Sequence, residues 1–163
     1  MTISWLPIAE HLRNELQGYG GLLALFEEQQ AHLLRRNPDA VLELAGTIEA
    51  QARSTAEQRL KREMAVRELA EVCGYPADTP LRELLPLFPA EVQPMLDALV
   101  DEINHLIHRV RRGARQNQLL LGRAVEMRQQ MLSTLRPAAF VKTYSQRGAI
   151  SVSTGDAAWQ AAG

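Results

Sequence analysis

Apolar residues recur at steps of three and four along three proline-free spans, residues 8–37, 39–75 and 95–136. This spacing places them on one face of an α-helix, as expected for helices that bury a single stripe. Because proline disrupts a helix interior, the eight prolines mark the limits of these spans. The pattern predicts an all-α fold, an antiparallel bundle or coiled coil of three long helices occupying residues 1–136.

The first long helix carries a heptad stripe with one polar interruption. Its members are Leu12, Leu16, Tyr19, Leu23, Phe26, Gln30 and Leu33. Three glycines, at positions 18, 20 and 21, lie inside it, and each costs about 1 kcal/mol relative to alanine. We expect this segment to be weak or kinked unless packing compensates. Asn37 and Pro38 then supply an N-cap and a first-turn proline, which predicts a tight turn into an antiparallel second helix.

The second helix has a less regular stripe. It reads Val41, Ala45, Ile48, Ala52, Thr55, Val66, Leu69 and Cys73. Arg59 and Arg62 interrupt it, so we expect its middle to be largely solvated. Thr79 and Pro80 are placed to cap and begin a short helix reaching Leu87, which we expect to close one end of the bundle.

The last long helix, from Pro89 or Pro94 to about Arg136, is more apolar in its second half than one neighbouring helix can cover. The predicted partner-contacting residues are Asn117, Leu120, Leu121, Ala124, Val125, Met127, Met131, Leu132 and Leu135. Two explanations stay open: other helices of the bundle cover this surface, or a partner does, with a second copy of the chain among the candidates. Asn117 is a polar residue on the seam of this helix and is typical of a register-fixing position. The seam reads Val92, Leu96, Leu99, Ile103, Leu106, Val110, Gly113, Asn117, Leu120, Ala124, Met127 and Met131.

Residues 137–163 are rich in Ala, Ser, Thr and Gly and offer little apolar surface to offset ordering entropy. We expect a disordered or weakly docked tail. Its aromatic residues Phe140, Tyr144 and Trp159 are candidate anchors for a partner.

Charge and motifs narrow the function. A net charge of -1 argues against nucleic acid as a partner, so the cluster Arg109, Arg111, Arg112 and Arg115 is expected to be a solvated face. Glu102 and His105 have the spacing of di-iron carboxylate bundles, but the second such pair is missing. No nucleophilic or phosphate-binding motif occurs. We therefore predict no metal, no cofactor and no enzymatic activity.

Localisation follows from similar arguments. The first thirty residues lack the basic and apolar regions of a signal peptide, and no apolar run approaches the length of a membrane span. The single cysteine cannot form an internal disulfide. We expect a cytoplasmic protein without stable membrane insertion.

In the order of these elements and in three short motifs, the chain resembles the flagellar export chaperone family FlgN. The motifs are the turn from Leu33-Leu34 to Asp39, Asn117-x-x-Leu120-Leu121 and Thr143-Tyr144-x-x-x-Gly148. The resemblance implies a cytoplasmic type III export chaperone that binds an amphipathic C-terminal helix of the hook-filament junction proteins, which are FlgK-like and FlgL-like. It also implies docking on the export gate protein FlhA through Tyr144 and Gly148.

Other functions share the same periodicity. A coiled-coil adaptor or scaffold without an export role is the main alternative. A chaperone for a virulence effector or for another flagellar substrate, and a carboxylate-bridged metal enzyme, also stay open.

Overall fold

The computed structural model describes residues 4–135, and the backbone of residues 141–144 and 150–153. The bundle has three long helices, α1 (Leu6–Leu34), α2 (Pro38–Val72) and α4 (Gln93–Leu135). The connector between α2 and α4 holds the short helix α3 (Leu81–Leu84) and a 3₁₀ turn (Leu85–Leu87). The predicted all-α bundle is confirmed. Among the described residues, no helix combines the length and the hydropathy that a membrane span requires.

The turn between α1 and α2 follows the local signals in the sequence. Asn37 caps α2 by accepting a hydrogen bond from the Ala40 backbone N–H on its side-chain oxygen, at 3.3 Å, and Pro38 occupies the first turn. Arg36 has a positive φ of 57°, which reverses the chain within a few residues. Cross-helix hydrogen bonds from Gln29 to the Val41 carbonyl and from Gln51 to the Gly18 carbonyl show that the two helices run antiparallel, as predicted.

The glycines of α1 do not break the helix, which is continuous from Leu6 to Leu34. Gly18 is buried against Thr55 of α2, and Gly21 faces Gln51. A side chain at Gly18 would collide with Thr55, whereas Gly20 has open space around it. Packing against α2 therefore compensates for the low helix propensity of at least Gly18.

The buried face of α1 differs from the predicted stripe, of which only Leu12 is buried. The buried positions are Ile8, Ala9, Leu12, Glu15, Gly18 and Leu22. The predicted residues from Leu16 to Leu33 are half-buried. The reason is that α1 packs against both α2 and α4, so that its covered surface is wider than one heptad seam.

The stripe of α2 is only partly correct, since Ala45 and Ala52 are exposed while Val41, Thr55 and Val66 are buried. In α4 every buried residue lies on the predicted seam. These are Leu96, Ile103, Leu106 and Asn117.

The hydrophobic core is concentrated at the connector end of the bundle. It contains Ile8, Ala9, Leu12, Val66, Ala70, Leu81, Leu84, Leu85, Phe88, Val92, Leu96 and Ile103. The prediction that the short apolar segment closes one end is confirmed. The predicted cap is wrong in detail, because Pro80 and not Thr79 occupies the N-cap position of α3, without a side-chain hydrogen bond.

Two short strands, β1 (Val141–Tyr144) and β2 (Ile150–Ser153), pair antiparallel, with Val141 opposite Ser153 and Tyr144 opposite Ile150. The other residues of the predicted tail lie outside the described part of the chain. A disordered or weakly docked tail at 137–163 stays a prediction.

Candidate partner-binding surface

The second half of α4 exposes a continuous set of apolar side chains. Every residue from Leu121 to Leu135 is exposed. We name as the α4 apolar face the residues Leu121, Ala124, Val125, Met127, Met131, Leu132 and Leu135. Leu121 and Val125 are each 48% exposed, Met131 is 63% and Leu135 is 74%. An exposed apolar set of this extent is typical of a surface that binds another protein.

The α4 apolar face occupies one side of the helix. At 100° per residue, its members fall within an arc of about 160°. This arc is wider than a coiled-coil seam. Because it runs from Leu121 to Leu135, it offers a partner helix an apolar contact over that whole segment. The methionines at 127 and 131 have flexible, polarisable side chains that adapt to partners of different shape.

Asn117 itself belongs to the bundle. The residue is 4% exposed, and its Nδ2 donates to the Phe26 carbonyl at 2.8 Å and to Gln29 Oε1 at 3.0 Å. Gly113, one turn earlier, allows Phe26 to lie close to α4. Leu120 is half-buried. These two predicted contact residues therefore stand at the margin of the exposed surface, with Asn117 engaged by α1.

The predicted gate-docking residues are only partly described. The backbone of Tyr144 lies at the end of β1, opposite Ile150, and Gly148 lies outside the described residues.

Sequence reasoning missed a buried ion pair between α1 and α2. Arg62, which was expected to be solvated, donates through Nε to the Glu15 carboxylate. The Glu15 side chain is fully buried and that of Arg62 is 22% exposed. The available signal was the position of Glu15, three residues after Leu12 and seven before Leu22 on an apolar face.

This ion pair lines a groove of about 810 Å³ between α1, α2, the connector and α4. Apolar residues such as Leu12 and Ile103 contribute to its walls, together with charged residues of both signs. At the rim, Arg59 Nε donates to Glu63 Oε1 at 2.7 Å. That hydrogen bond holds the pKa of the Glu63 carboxyl below its ordinary value and raises the pKa of Arg59.

The other candidate sites stay dispersed. Glu102, His105 and His108 are exposed, and residues 4–135 bring no three His, Cys, Asp or Glu side chains together as metal ligands. Arg109 pairs with Glu27 at 3.7 Å, and its neighbours in the basic cluster are exposed.

The long helices define an all-α protein, and α4 carries an exposed apolar face. The sequence profile of the family described as FlgN protein matches residues 8–151. The chain therefore belongs to the FlgN family, whose role is that of flagellar export chaperones. No curated protein matches the chain, and no solved structure matches it.

Proposed function

We propose that this chain is a cytoplasmic chaperone of flagellar type III export for the hook-filament junction proteins, FlgK-like and FlgL-like, and that its α4 apolar face binds an amphipathic C-terminal helix of these substrates. The observation that supports the proposal is the exposure of this face in a chain of the FlgN family. No cofactor takes part.

The binding mode follows from the shape of the surface. A substrate segment that is unfolded before export would fold as a helix and lay its own apolar stripe along α4, so that both stripes leave water. Burial of roughly 1,000 to 2,000 Å² is offset by several kcal/mol of ordering free energy. The resulting affinity is moderate, which suits a chaperone that must release its substrate. While it is bound, the substrate helix is unable to assemble with other subunits.

The direct test is a double substitution on the α4 apolar face, Leu121→Asp with Val125→Asp. Two carboxylates within the contact would remain desolvated and unpaired, so we expect loss of binding to a synthetic peptide of the substrate C-terminal helix, measured by isothermal titration calorimetry. The bundle should melt as the wild type does, because both residues are exposed.

The chain offers a matched control in Leu60→Asp with Met64→Asp. These residues have the same spacing on α2 and comparable exposure, 58% and 62%. This variant should bind the peptide with wild-type affinity. Unchanged binding by the Leu121/Val125 variant, or equal loss in both variants, would refute the assignment of this surface.

We further propose that Tyr144 and Gly148 dock the loaded chaperone on the export gate protein FlhA. Tyr144→Ala should then leave peptide affinity unchanged and lower the amount of hook-filament junction protein secreted by cells. Deletion of the whole chain should abolish both secretion and swimming. A coiled-coil adaptor without an export role would leave secretion intact in the deletion strain.

A further inference from the structure

One charged residue lies in the middle of the α4 apolar face. Arg128 is exposed, and it makes no ion pair with any residue that the structure describes. The positions three, four and seven residues to either side of it are its neighbours on the helix surface. All of them are apolar: Leu121, Ala124, Val125, Met131, Leu132 and Leu135.

Because Arg128 lies in the middle of the α4 apolar face, any partner that covers this face also covers the Arg128 guanidinium. A partner helix laid over the face removes water from the guanidinium, which is unfavourable unless a carboxylate replaces that water. Guanidinium and carboxylate groups match in a planar, two-bond geometry, and the apolar stem of arginine packs along the neighbouring side chains. The face therefore favours a partner that brings a carboxylate to its centre.

This part of α4 contains no such carboxylate. Glu126 is the one acidic residue between Leu119 and Leu135. It precedes Arg128 by two positions, so it lies about 160° away around the helix, on the polar side. When two copies of the α4 apolar face meet, Arg128 of each copy consequently faces either an apolar residue or the other arginine, in every register.

We propose that Arg128 determines partner specificity: it selects an amphipathic helix with an aspartate or glutamate in the middle of its apolar face, and it disfavours pairing of this face with a second copy of the chain. The first half of this inference rests on the proposed function and adds the substrate's chemistry to it. The second half requires no substrate.

The first test uses the full-length chain and a synthetic peptide of the C-terminal helix of the FlgK-like substrate. Arg128→Glu should raise the dissociation constant at least about tenfold. Arg123→Glu is the matched control, because Arg123 is exposed in the same segment but lies outside the apolar arc, three residues before Glu126. It should change the dissociation constant less than about twofold. Replacing the carboxylate on the peptide's apolar face by lysine should weaken wild-type binding and restore binding to Arg128→Glu.

The outcomes separate the two proposals. If the wild type does not bind the peptide, or binds it as tightly after Leu121→Asp with Val125→Asp, the proposed function is wrong. If those two results are as expected but Arg128→Glu behaves like Arg123→Glu, or the lysine peptide restores nothing, substrate selection by Arg128 is refuted alone.

The second test measures self-association by sedimentation equilibrium. Arg128→Leu makes the apolar face continuous, so its dimer dissociation constant should fall at least about tenfold below that of the wild type. Arg123→Leu adds the same side chain outside the face and should not have this effect. Equal self-association of the two variants would refute the role of Arg128 in preventing pairing between copies.

Discussion

Gly18 marks a place where α1 has no room for a side chain. A Cβ atom there would lie 2.7 Å from Thr55 Oγ1 and 3.0 Å from Thr55 Cγ2, and Thr55 is 2% exposed. At Gly20, in the same helix, a Cβ would meet nothing within 4 Å. Alanine at the two positions therefore separates the effect of packing from that of helix propensity.

The expected magnitudes follow from two contributions. Alanine stabilises a helix by about 1 kcal/mol relative to glycine at either position. Overpacking at Gly18 opposes this by about 1–3 kcal/mol. The Thr55 Cβ carries Oγ1, Cγ2 and one hydrogen, and two of these three positions face Gly18. Rotation about χ1 can bring the hydrogen to only one of them, so a heavy atom faces Gly18 in every rotamer. Gly20→Ala should thus stabilise the protein by up to about 1 kcal/mol, with Gly18→Ala about 1–3 kcal/mol less stable than Gly20→Ala.

Urea denaturation followed by circular dichroism measures both free energies of unfolding. Thr55→Ala removes both Oγ1 and Cγ2, the atoms that a side chain at Gly18 would meet. The single variant Thr55→Ala and the double variant Gly18→Ala with Thr55→Ala therefore complete a double-mutant cycle. The cost of Gly18→Ala should be smaller by at least about 1 kcal/mol in that background. If Gly18→Ala and Gly20→Ala stabilise the protein equally, or the cycle shows no coupling, the close packing of α1 against α2 is refuted.

Three further predictions concern polar contacts. Arg62→Met leaves the buried Glu15 carboxylate unpaired and should cost about 3 kcal/mol in urea unfolding, more than the double variant Glu15→Leu with Arg62→Met; equal costs would contradict a buried pair. Asn117→Leu should lower stability by about 1–2 kcal/mol through its lost hydrogen bonds, without changing substrate-peptide affinity in calorimetry. The lowered pKa of Glu63 gives stability at neutral pH that is lost as pH falls through that pKa. Glu63→Gln removes the ion pair with Arg59, so it should cost at most about 0.5 kcal/mol at neutral pH and nothing in acid. A cost that persists in acid would refute the effect.

The helix boundaries could be predicted because their signals are local. Asn37 and Pro38 act through the first turn of α2, and Pro80 and Pro94 stand at the starts of α3 and α4. The all-α fold and its three long helices follow from these signals together with apolar periodicity.

The buried face of α1 could not be predicted, because it depends on contacts between distant residues. Glu15 and Arg62 are separated by 47 positions, and each alone resembles an ordinary solvated charge. Gly18 resembles a helix-weakening residue until Thr55 is known to lie against it. Periodicity identifies a stripe but does not say how many neighbours pack around the helix.

The candidate surface was predictable in its composition and not in its exposure. The apolar arc after Asn117 is visible in the sequence, but periodicity cannot say whether other helices of the chain cover it. The structure shows that every residue from Leu121 to Leu135 is exposed, whereas Asn117 is buried and bonds to Phe26 and Gln29 of α1.

Asn117 and Arg128 are polar residues on the apolar side of α4, one in each half of the helix. Their hydrogen-bond partners differ, and this difference distinguishes the two halves. Buried polar groups require hydrogen-bond partners. The Nδ2 of Asn117 donates to two acceptors on α1, although its Oδ1 has no partner among the described residues, and that half of α4 is a bundle helix. Arg128 is surrounded by apolar residues on its own helix and has no ion-pair partner among the described residues. A protein that covers this second half has to bring the acceptor itself, so the chemistry of its helix is constrained by one residue of α4.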